Sequence, residues 1–180
     1  ITVTNSHDLM TALINLRPEL KGRIHVLYNP IDSDEIKLLA DENLTAKIPI
    51  EDRPIILAVG RLVPVKRPDL LLAAFFFVRQ QFDATLWFCG EGRLLSDLQQ
   101  KVKSLGLQDD VHFFGHWGNP FPLLRRATIF ALSSDHEGLP QALIEAQTLG
   151  IPSVSTNCRT GPREIIENGQ TGLLTPVGDS

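Results

Sequence analysis

Two glutamates in the stretch SSDHEGLPQALIEAQTLG have types and spacing suited to chemistry. A Gly-Leu-Pro turn directly follows Glu137, and Glu145 comes eight positions later. Pro140 suits the first turn of a helix, which places Glu137 in the preceding loop and Glu145 inside the helix. Gly138 and Leu139 then offer free backbone N–H groups at an anion-attracting helix N-terminus. The carboxylates can reach different parts of an elongated ligand, although purely structural roles for both stay open on these residues alone.

A second loop, GRLVPVK, brings two cations to the start of another predicted helix. Gly60 permits a tight turn after the apolar run PIILAV, and Arg61 and Lys66 lie beside the incoming helix terminus. Cations at a helix N-terminus suit a phosphate or diphosphate. Two basic residues in a loop are also common as solvated surface, so this loop alone does not decide the chemistry.

Two further loops bear on nucleotide binding. The segment CGEGRLL resembles the start of the dinucleotide fingerprint GxGxxG, but Leu95 stands where the third glycine is required. Asp109 and Asp110, about twenty positions on, precede the next strand and are badly placed for a ribose of NAD. A nicotinamide cofactor is therefore not predicted. The loop around His116, GHWG, could offer backbone groups and an aromatic wall to a base, but Trp117 also suits the edge of a core.

The elements that must position these loops alternate along the chain. Short apolar runs bounded by Gly, Asp, Asn or Pro indicate buried strands, and segments with apolar residues at helical spacing lie between them. Strands separated by crossover helices form a parallel sheet with helices on both faces, so the fold class predicted is α/β, doubly wound. Ligands gather at the carboxyl ends of such strands. The strands predicted are 54–59, 84–89, 111–114, 128–132 and 152–155, and the helices are 69–81, 94–105, 122–126 and 141–149.

The composition excludes several other classes of protein. The 180 residues, 43% hydrophobic and 21% charged, suffice for one globular core. A net charge of −4 provides no basic surface for nucleic acid or an anionic membrane. Cys89 and Cys158 lack a CxxC spacing, so neither a disulfide framework nor a structural zinc site is predicted. The run LLLAAFFFV is too short to span a bilayer and is predicted to be a buried helix.

Several segments, taken in order, resemble the nucleotide-sugar domain of the retaining family 4 glycosyltransferases. They are GRLVPVKRPDLLLAAF, CGEGRLL, HFFGH, HEGLPQALIEA, GIPSVSTN and GPREIIENGQTGLLTPVGD. These enzymes have the GT-B architecture of two Rossmann-like domains. The resemblance implies that residues 54–180 are a nucleotide-sugar-binding domain truncated at its C-terminus. Residues 1–31, a predicted helix (6–16) and strand (24–28), would be the end of the acceptor-binding domain that is otherwise missing, and 32–53 a linker.

The resemblance also implies roles for the cationic loop and the base site. By position, Arg61 and Lys66 would bind the donor diphosphate and stabilise the departing nucleotide. Gly60 belongs to the same donor-binding loop, and positions around His116 would line the base. UDP is the nucleotide expected, because it is the most frequent in the family.

The resemblance also implies roles for residues in the stretch SSDHEGLPQALIEAQTLG. Glu145 would hold the ribose, and Glu137 would orient the transferred sugar rather than act as a nucleophile. The N–H groups of Gly138 and Leu139 would bind phosphate or sugar.

The activity implied is transfer of a hexosyl group, with retention, from a nucleoside diphosphate sugar to a saccharide or lipid-linked acceptor. Family enzymes need no essential metal, so neither a metal nor a cofactor is expected. The expected location is the cytoplasm, with peripheral contact to the inner membrane face through the missing domain. Two alternatives stay open: a nucleotide-sugar 2-epimerase of the same architecture, and a domain that binds donor without turning it over.

Overall fold

The structure, a computed structural model, describes residues 1–42, 48–49 and 51–179. Its strands are β1 (Thr2–Thr4), β2 (Ile24–Val26), β3 (Ile55–Val59), β4 (Thr85–Cys89), β5 (Val111–Phe113), β6 (Ile129–Leu132), β7 (Ser153–Thr156) and β8 (Gly172–Thr175). Its helices are α1 (His7–Leu16), α2 (Ser33–Ala40), α3 (Pro68–Arg79), α4 (Leu95–Ser104), α5 (Phe121–Arg126), α6 (Gln141–Thr148) and α7 (Pro162–Ile165). The predicted strands and helices of the main domain are confirmed to within one or two residues at their ends.

The main sheet has six parallel strands in the order β5-β4-β3-β6-β7-β8. The first strand of this sheet along the chain is β3. The sheet extends from β3 through β4 to β5 on one side, and the chain then returns to the other side of β3 for β6, β7 and β8. This is the strand order of the Rossmann fold, with its reversal between β3 and β6. The predicted α/β, doubly wound fold class is confirmed.

Helices cover both faces of this sheet, which gives the domain two apolar cores. On one face α3 and α4 pack through Leu72, Phe75 and Leu98. On the other face α5 and α6 pack over the sheet through Leu124 and Leu143. The apolar run predicted to be a buried helix lies in α3, but only one face of the helix is buried: Leu72 and Phe75 are buried, whereas Phe77 is 55% exposed. Every residue of β4 is buried, as expected of a strand covered on both faces.

The first 26 residues form a small separate β-α-β unit in which β1 pairs parallel to β2. The hydroxyl of Ser6 accepts a hydrogen bond from the Leu9 N–H at 3.1 Å and so caps α1. The helix and strand predicted here are confirmed. Nothing in the sequence pattern indicated β1, which has three residues.

The structure differs from the predicted linker at residues 32–53, because helix α2 lies inside it. Asp32 Oδ1 caps this helix by accepting the N–H groups of Asp34 and Glu35 at 3.1 and 2.9 Å. Ile36 and Ala40 are buried, and α2 packs against α5 and α6. Because the first turn of α2 is polar, the sequence pattern did not indicate the apolar face of this helix. The part of the predicted linker at residues 43–47 and 50 lies outside the described residues, as does the terminal residue 180 of the predicted domain.

Candidate functional site

The candidate site lies where the strand order reverses, at the carboxyl ends of β3 and β6. The crevice at such a reversal is the usual ligand site of doubly wound sheets. The loop after β3 contains Gly60, Arg61 and Lys66, and the loop after β6 contains Glu137. Two of the predicted loops therefore become neighbours because of the topology.

Two glycines hold the loop after β3 close to the loop after β4. A Cβ atom on Gly90 would lie 2.0 Å from the Gly60 carbonyl oxygen, and one on Gly92 would lie 2.2 Å from that of Leu62. Backbone hydrogen bonds continue beyond the strands, from Gly60 N–H to Cys89 O at 2.9 Å and from Leu62 N–H to Glu91 O at 2.8 Å. The two glycines of the GxG spacing therefore allow the backbones of the two loops to pack against each other.

The backbone that presents Lys66 is fixed by its neighbours. Residues 64–66 form a short 3₁₀ turn, and Arg67 follows in the left-handed conformation with φ of +47°. Ion pairs of Arg67 with Asp69 and Asp135 support this uncommon geometry. The hydroxyl of Ser133 donates to the carbonyl oxygens of Lys66 and Arg67, at 2.9 and 2.8 Å. The position of Lys66 therefore depends on the loop after β6.

The Lys66 ammonium and the Glu137 carboxylate form an ion pair, with 2.5 Å between Nζ and Oε1. The Ser134 hydroxyl donates to the same Oε1 at 2.6 Å. The side chain of Glu137 is 8% exposed and that of Lys66 26% exposed, so the pair is largely shielded from water. Among the described residues, none donates to Glu137 Oε2. That oxygen can accept a ligand hydroxyl while Oε1 keeps its two partners.

The loop after β7 supports Glu137 from the other side. The hydroxyl of Thr160 donates to the carbonyl oxygen of Glu137. Gly161 lies so close that a Cβ atom on it would be 2.2 Å from the Gly138 carbonyl oxygen. Ser134 is in turn held by the Thr156 hydroxyl, which donates to its carbonyl oxygen at 2.6 Å. Three loops therefore fix the position of this carboxylate.

The N-terminus of α6 presents backbone donors next to Glu137. Helix α6 begins at Gln141, with Pro140 as its N-cap residue. Within the described part of the chain, the N–H groups of Gly138 and Leu139 donate to no acceptor. The side chain of Leu139 is buried, so this residue can meet a ligand only through its backbone. The arrangement offers two free N–H groups to an anion or a sugar oxygen.

Arg61 and His116 line one cavity of about 400 Å³, together with Gly60, Glu91 and Trp117. Arg61 is exposed and has no ion-pair partner among the described residues. The backbone N–H of His116 donates to Glu91 Oε1 at 3.2 Å, which fixes the loop after β5. Trp117 packs against the core and its indole N–H donates to Phe114 O at 3.2 Å. The exposed guanidinium of Arg61 thus shares a cavity with the loop predicted to receive the base.

Glu145 lines a different cavity, of about 240 Å³, between α6 and the residues around α2. The cavity is also lined by Pro30, Ile31 and Phe121. Burial raises the pKa of the Glu145 carboxyl above its ordinary value, and a hydrogen bond from the Gln141 side chain offsets part of that rise. A ligand that supplied hydroxyl donors to this half-buried carboxylate would replace the water lost on burial.

No metal site is evident in the part of the chain described by the structure, where no group of three or more His, Cys, Asp and Glu side chains is placed to hold an ion. Asp32 and Asp34 have the DxD spacing, but Asp32 caps α2. A larger cavity of about 590 Å³ lies at the amino ends of β6, β7 and β8, away from the residues above. In the described residues, no helix has the length and apolar character needed to cross a membrane.

Three residues of the site escaped the sequence analysis, namely Ser134, Thr160 and Asn5. Ser134 stands three positions before Glu137, and no spacing rule marks it as a partner. Thr160 follows β7, so a signal existed, because loops at the carboxyl ends of all the strands meet at one edge of the sheet. Asn5 comes from the small N-terminal unit, and the structure places its carboxamide against Gly138.

Comparison with known proteins gives a consistent result. Residues 40–180 match the family model "Glycosyl transferases group 1". An uncharacterised glycosyltransferase of Methanocaldococcus jannaschii is 35% identical over 150 residues, which is 82% of this chain and 37% of that protein. A Campylobacter jejuni N-acetylgalactosaminyltransferase that acts on a diphospho-undecaprenol-linked glycan is 34% identical over 155 residues, 86% of this chain and 40% of that protein.

Solved structures show the same fold. The structure of HepE from Anabaena, crystallised with UDP, superposes with a TM-score of 0.81 at 24% identity, covering 99% of this chain and 50% of HepE. The chain therefore spans half or less of the length of these relatives. Its six-stranded parallel sheet is the α/β fold of GT-B glycosyltransferase structures, and the chain belongs to the family of group 1 glycosyl transferases.

Proposed function

We propose that this chain is the donor-binding, C-terminal part of a retaining family 4 glycosyltransferase. The reaction would transfer a hexosyl group from a UDP-sugar to a saccharide or lipid-linked acceptor. The observation that carries the proposal is that three features meet at the reversal of strand order: exposed Arg61, the Lys66–Glu137 ion pair, and the backbone N–H groups just before α6. Among the described residues, neither the Arg61 side chain nor these N–H groups has a partner. Relatives with UDP or UDP-glucose in their structures, and relatives that act on lipid-linked glycans, support it.

The roles of the side chains follow from their chemistry. Arg61 is free to pair with the diphosphate, and Lys66 can share its charge between the diphosphate and Glu137. Charge that develops on the departing nucleotide would be stabilised by these cations and by the positive end of α6, which is the work that a metal does in other transferases. Glu137 Oε2 would accept a hydroxyl of the sugar, and Glu145 the hydroxyls of the ribose. We propose that the enzyme needs no metal and no cofactor.

The proposed location is the cytoplasmic face of the membrane. Several relatives build lipopolysaccharide or undecaprenol-linked glycans. Contact with the membrane would come through the acceptor-binding part, which in the proposed protein precedes this domain. The net charge of −4 argues against direct binding of this domain to an anionic surface or to nucleic acid.

Calorimetry in EDTA with uridine, UDP and a panel of UDP-hexoses tests the donor site. Arg61→Ala should weaken UDP roughly ten- to hundredfold, because a charge-assisted hydrogen bond is lost, and should leave uridine unchanged. Lys103→Ala, which removes an exposed cation on α4, is the matched control and should change neither. Equal losses for uridine and UDP would contradict the placement of Arg61, and binding that requires a divalent ion would contradict the metal-free mechanism.

Product analysis on the protein with its acceptor-binding part tests the reaction. A glycosylated acceptor that keeps the anomeric configuration of the donor would support a retaining transferase. Epimerised donor without transfer would contradict it, and so would binding of donor with no turnover of any acceptor.

A further inference from the structure

The carboxamide of Asn5 lies directly over Gly138. A Cβ atom on Gly138 would stand 3.4 Å from Asn5 Oδ1 and 3.5 Å from Nδ2. Asn5 follows β1, so it comes from the N-terminal unit, whereas Gly138 follows Glu137 in the loop after β6. These distances are those of ordinary van der Waals contact, so the amide lies next to the backbone just before α6.

The position of Asn5 is fixed by contacts on both sides of it. The Thr4 hydroxyl donates to Ser6 O at 3.2 Å. The N–H groups of His7 and Asp8, in the first turn of α1, donate to the Glu164 carboxylate at 2.9 and 2.7 Å. This carboxylate belongs to α7 and complements the positive end of α1.

A second contact holds the same two helices together. Arg163 on α7 binds the Asp8 carboxylate through two hydrogen bonds of 2.7 Å each. A bidentate pair of this kind restricts orientation as well as distance. The Asn5 backbone is therefore held in place relative to α7, and through Gly161 relative to the Glu137–Gly138 loop.

The Asn5 carboxamide has hydrogen-bonding capacity to spare among the described residues. Asn5 is partly exposed, and within the described residues its side chain makes no hydrogen bond. A side-chain amide carries two N–H donors and a carbonyl acceptor, which together suit the neighbouring hydroxyls of a sugar ring. The carboxamide lies against the loop that carries Glu137 and the N–H groups of Gly138 and Leu139. Among the described residues, none of these N–H groups has an acceptor and Glu137 Oε2 has no donor.

We infer that Asn5 is a further donor-sugar residue, whose carboxamide hydrogen-bonds a hydroxyl of the hexose that Glu137 holds from the other side. The inference rests on the proposed function, because it needs a UDP-hexose in this site. It adds that the sugar is held between two units of the fold, while the UDP part of the donor contacts residues from position 60 onward. Asn5 should therefore affect the affinity for UDP-hexose and not that for UDP.

The test measures the affinities of UDP and of the tightest UDP-hexose from the panel for this chain, with Asn5→Ala, Asn5→Ser and a control. The control is Gln170→Ala, which removes an exposed amide at the amino end of β8. Asn5→Ala should weaken the UDP-hexose about three- to tenfold, the loss expected for one neutral hydrogen bond, and change UDP less than twofold. Asn5→Ser, with a shorter hydroxyl, should lose a similar factor, and the control should change neither ligand.

The outcomes separate this inference from the proposed function. Equal losses for UDP and UDP-hexose, or no loss of UDP-hexose in variants that melt like the wild type, would overturn the role of Asn5 while the function stands. Failure of the wild type to bind any UDP-hexose would instead overturn the function on which it rests. If Asn5→Ala melts at a lower temperature than the wild type and Asn5→Ser does not, the affinities of Asn5→Ser for UDP and UDP-hexose decide the role of Asn5.

Discussion

Replacing Gly161 by alanine should separate the loops after β6 and β7. Gly161 has φ of +93° and ψ of −64°, a strained conformation that costs an alanine about 1–3 kcal/mol. Its new Cβ would lie 2.2 Å from the Gly138 carbonyl oxygen and 2.8 Å from Pro140 Cδ. Carbon and oxygen atoms in contact stand more than ~3 Å apart, so the loops must move by about 1 Å, which adds about 1–3 kcal/mol. The expected total loss of unfolding free energy is about 2–6 kcal/mol.

Gly169→Ala is the matched control, because Gly169 has φ of +82° but nothing within 4 Å of its Cβ position. This variant should lose only the conformational cost of about 1–2 kcal/mol. Urea unfolding gives both free energies, and calorimetry below the melting range gives the affinity for UDP-hexose. Gly161→Ala should weaken that affinity and Gly169→Ala should not. Equal free-energy losses with unchanged affinities would refute the conclusion that the packing of these two loops positions Glu137.

Three further predictions concern single side chains. Lys66→Ala should lower the unfolding free energy, measured by urea titration, by about 1–3 kcal/mol, because the buried Glu137 carboxylate loses a partner. Arg61→Ala removes an exposed cation that has no ion-pair partner among the described residues, so it should change the unfolding free energy by no more than about 0.5 kcal/mol. The raised pKa of Glu145 means that the folded state keeps this proton longer than the unfolded state, so stability falls as pH rises from the unfolded pKa through the folded one. Glu145→Gln should therefore melt higher than the wild type at pH 7, lose this advantage below pH about 4, and bind UDP more weakly; a lower melting temperature at pH 7 would contradict the cost of burial. Burial raises the pKa of the Cys89 thiol to about 11 and also raises that of Cys158, so a thiol reagent at pH 8 should label neither until the chain is unfolded.

The sequence was sufficient to predict the sheet and the loops at its carboxyl edge. Apolar runs such as ATLWFC are long enough to identify as strands, and their alternation with helices determines which loops share an edge. The meeting of Lys66 with Glu137 was only implicit in that topology, because the two residues are 71 positions apart. The resemblance assigns the two side chains to different parts of the ligand, and spacing along the sequence gives no sign of their direct ion pair.

Other features had no sufficient local signal. Helix α2 buries only Ile36 and Ala40, which is too few apolar positions to distinguish a helix from a polar connection. Strand β8 has only four residues, and none of them is fully buried. The contact between Asn5 and Gly138 joins two units that lie far apart in the sequence, and the absence of a side chain at Gly138 gives no indication of what fills the space above it.

The two apolar cores differ in how much of the chain must be synthesised before each core can pack. The core under α3 and α4 draws all its residues from positions 56–113. The core under α5 and α6 needs residues from Ile48 to Leu174, including the strands added after the reversal. During synthesis the first core can form while β6 has yet to leave the ribosome, because its contacts are local and their loops are short. The face of β3 that later receives α5 and α6 would then stay uncovered for a time, and the ligand crevice could form only after the strands beyond the reversal are made.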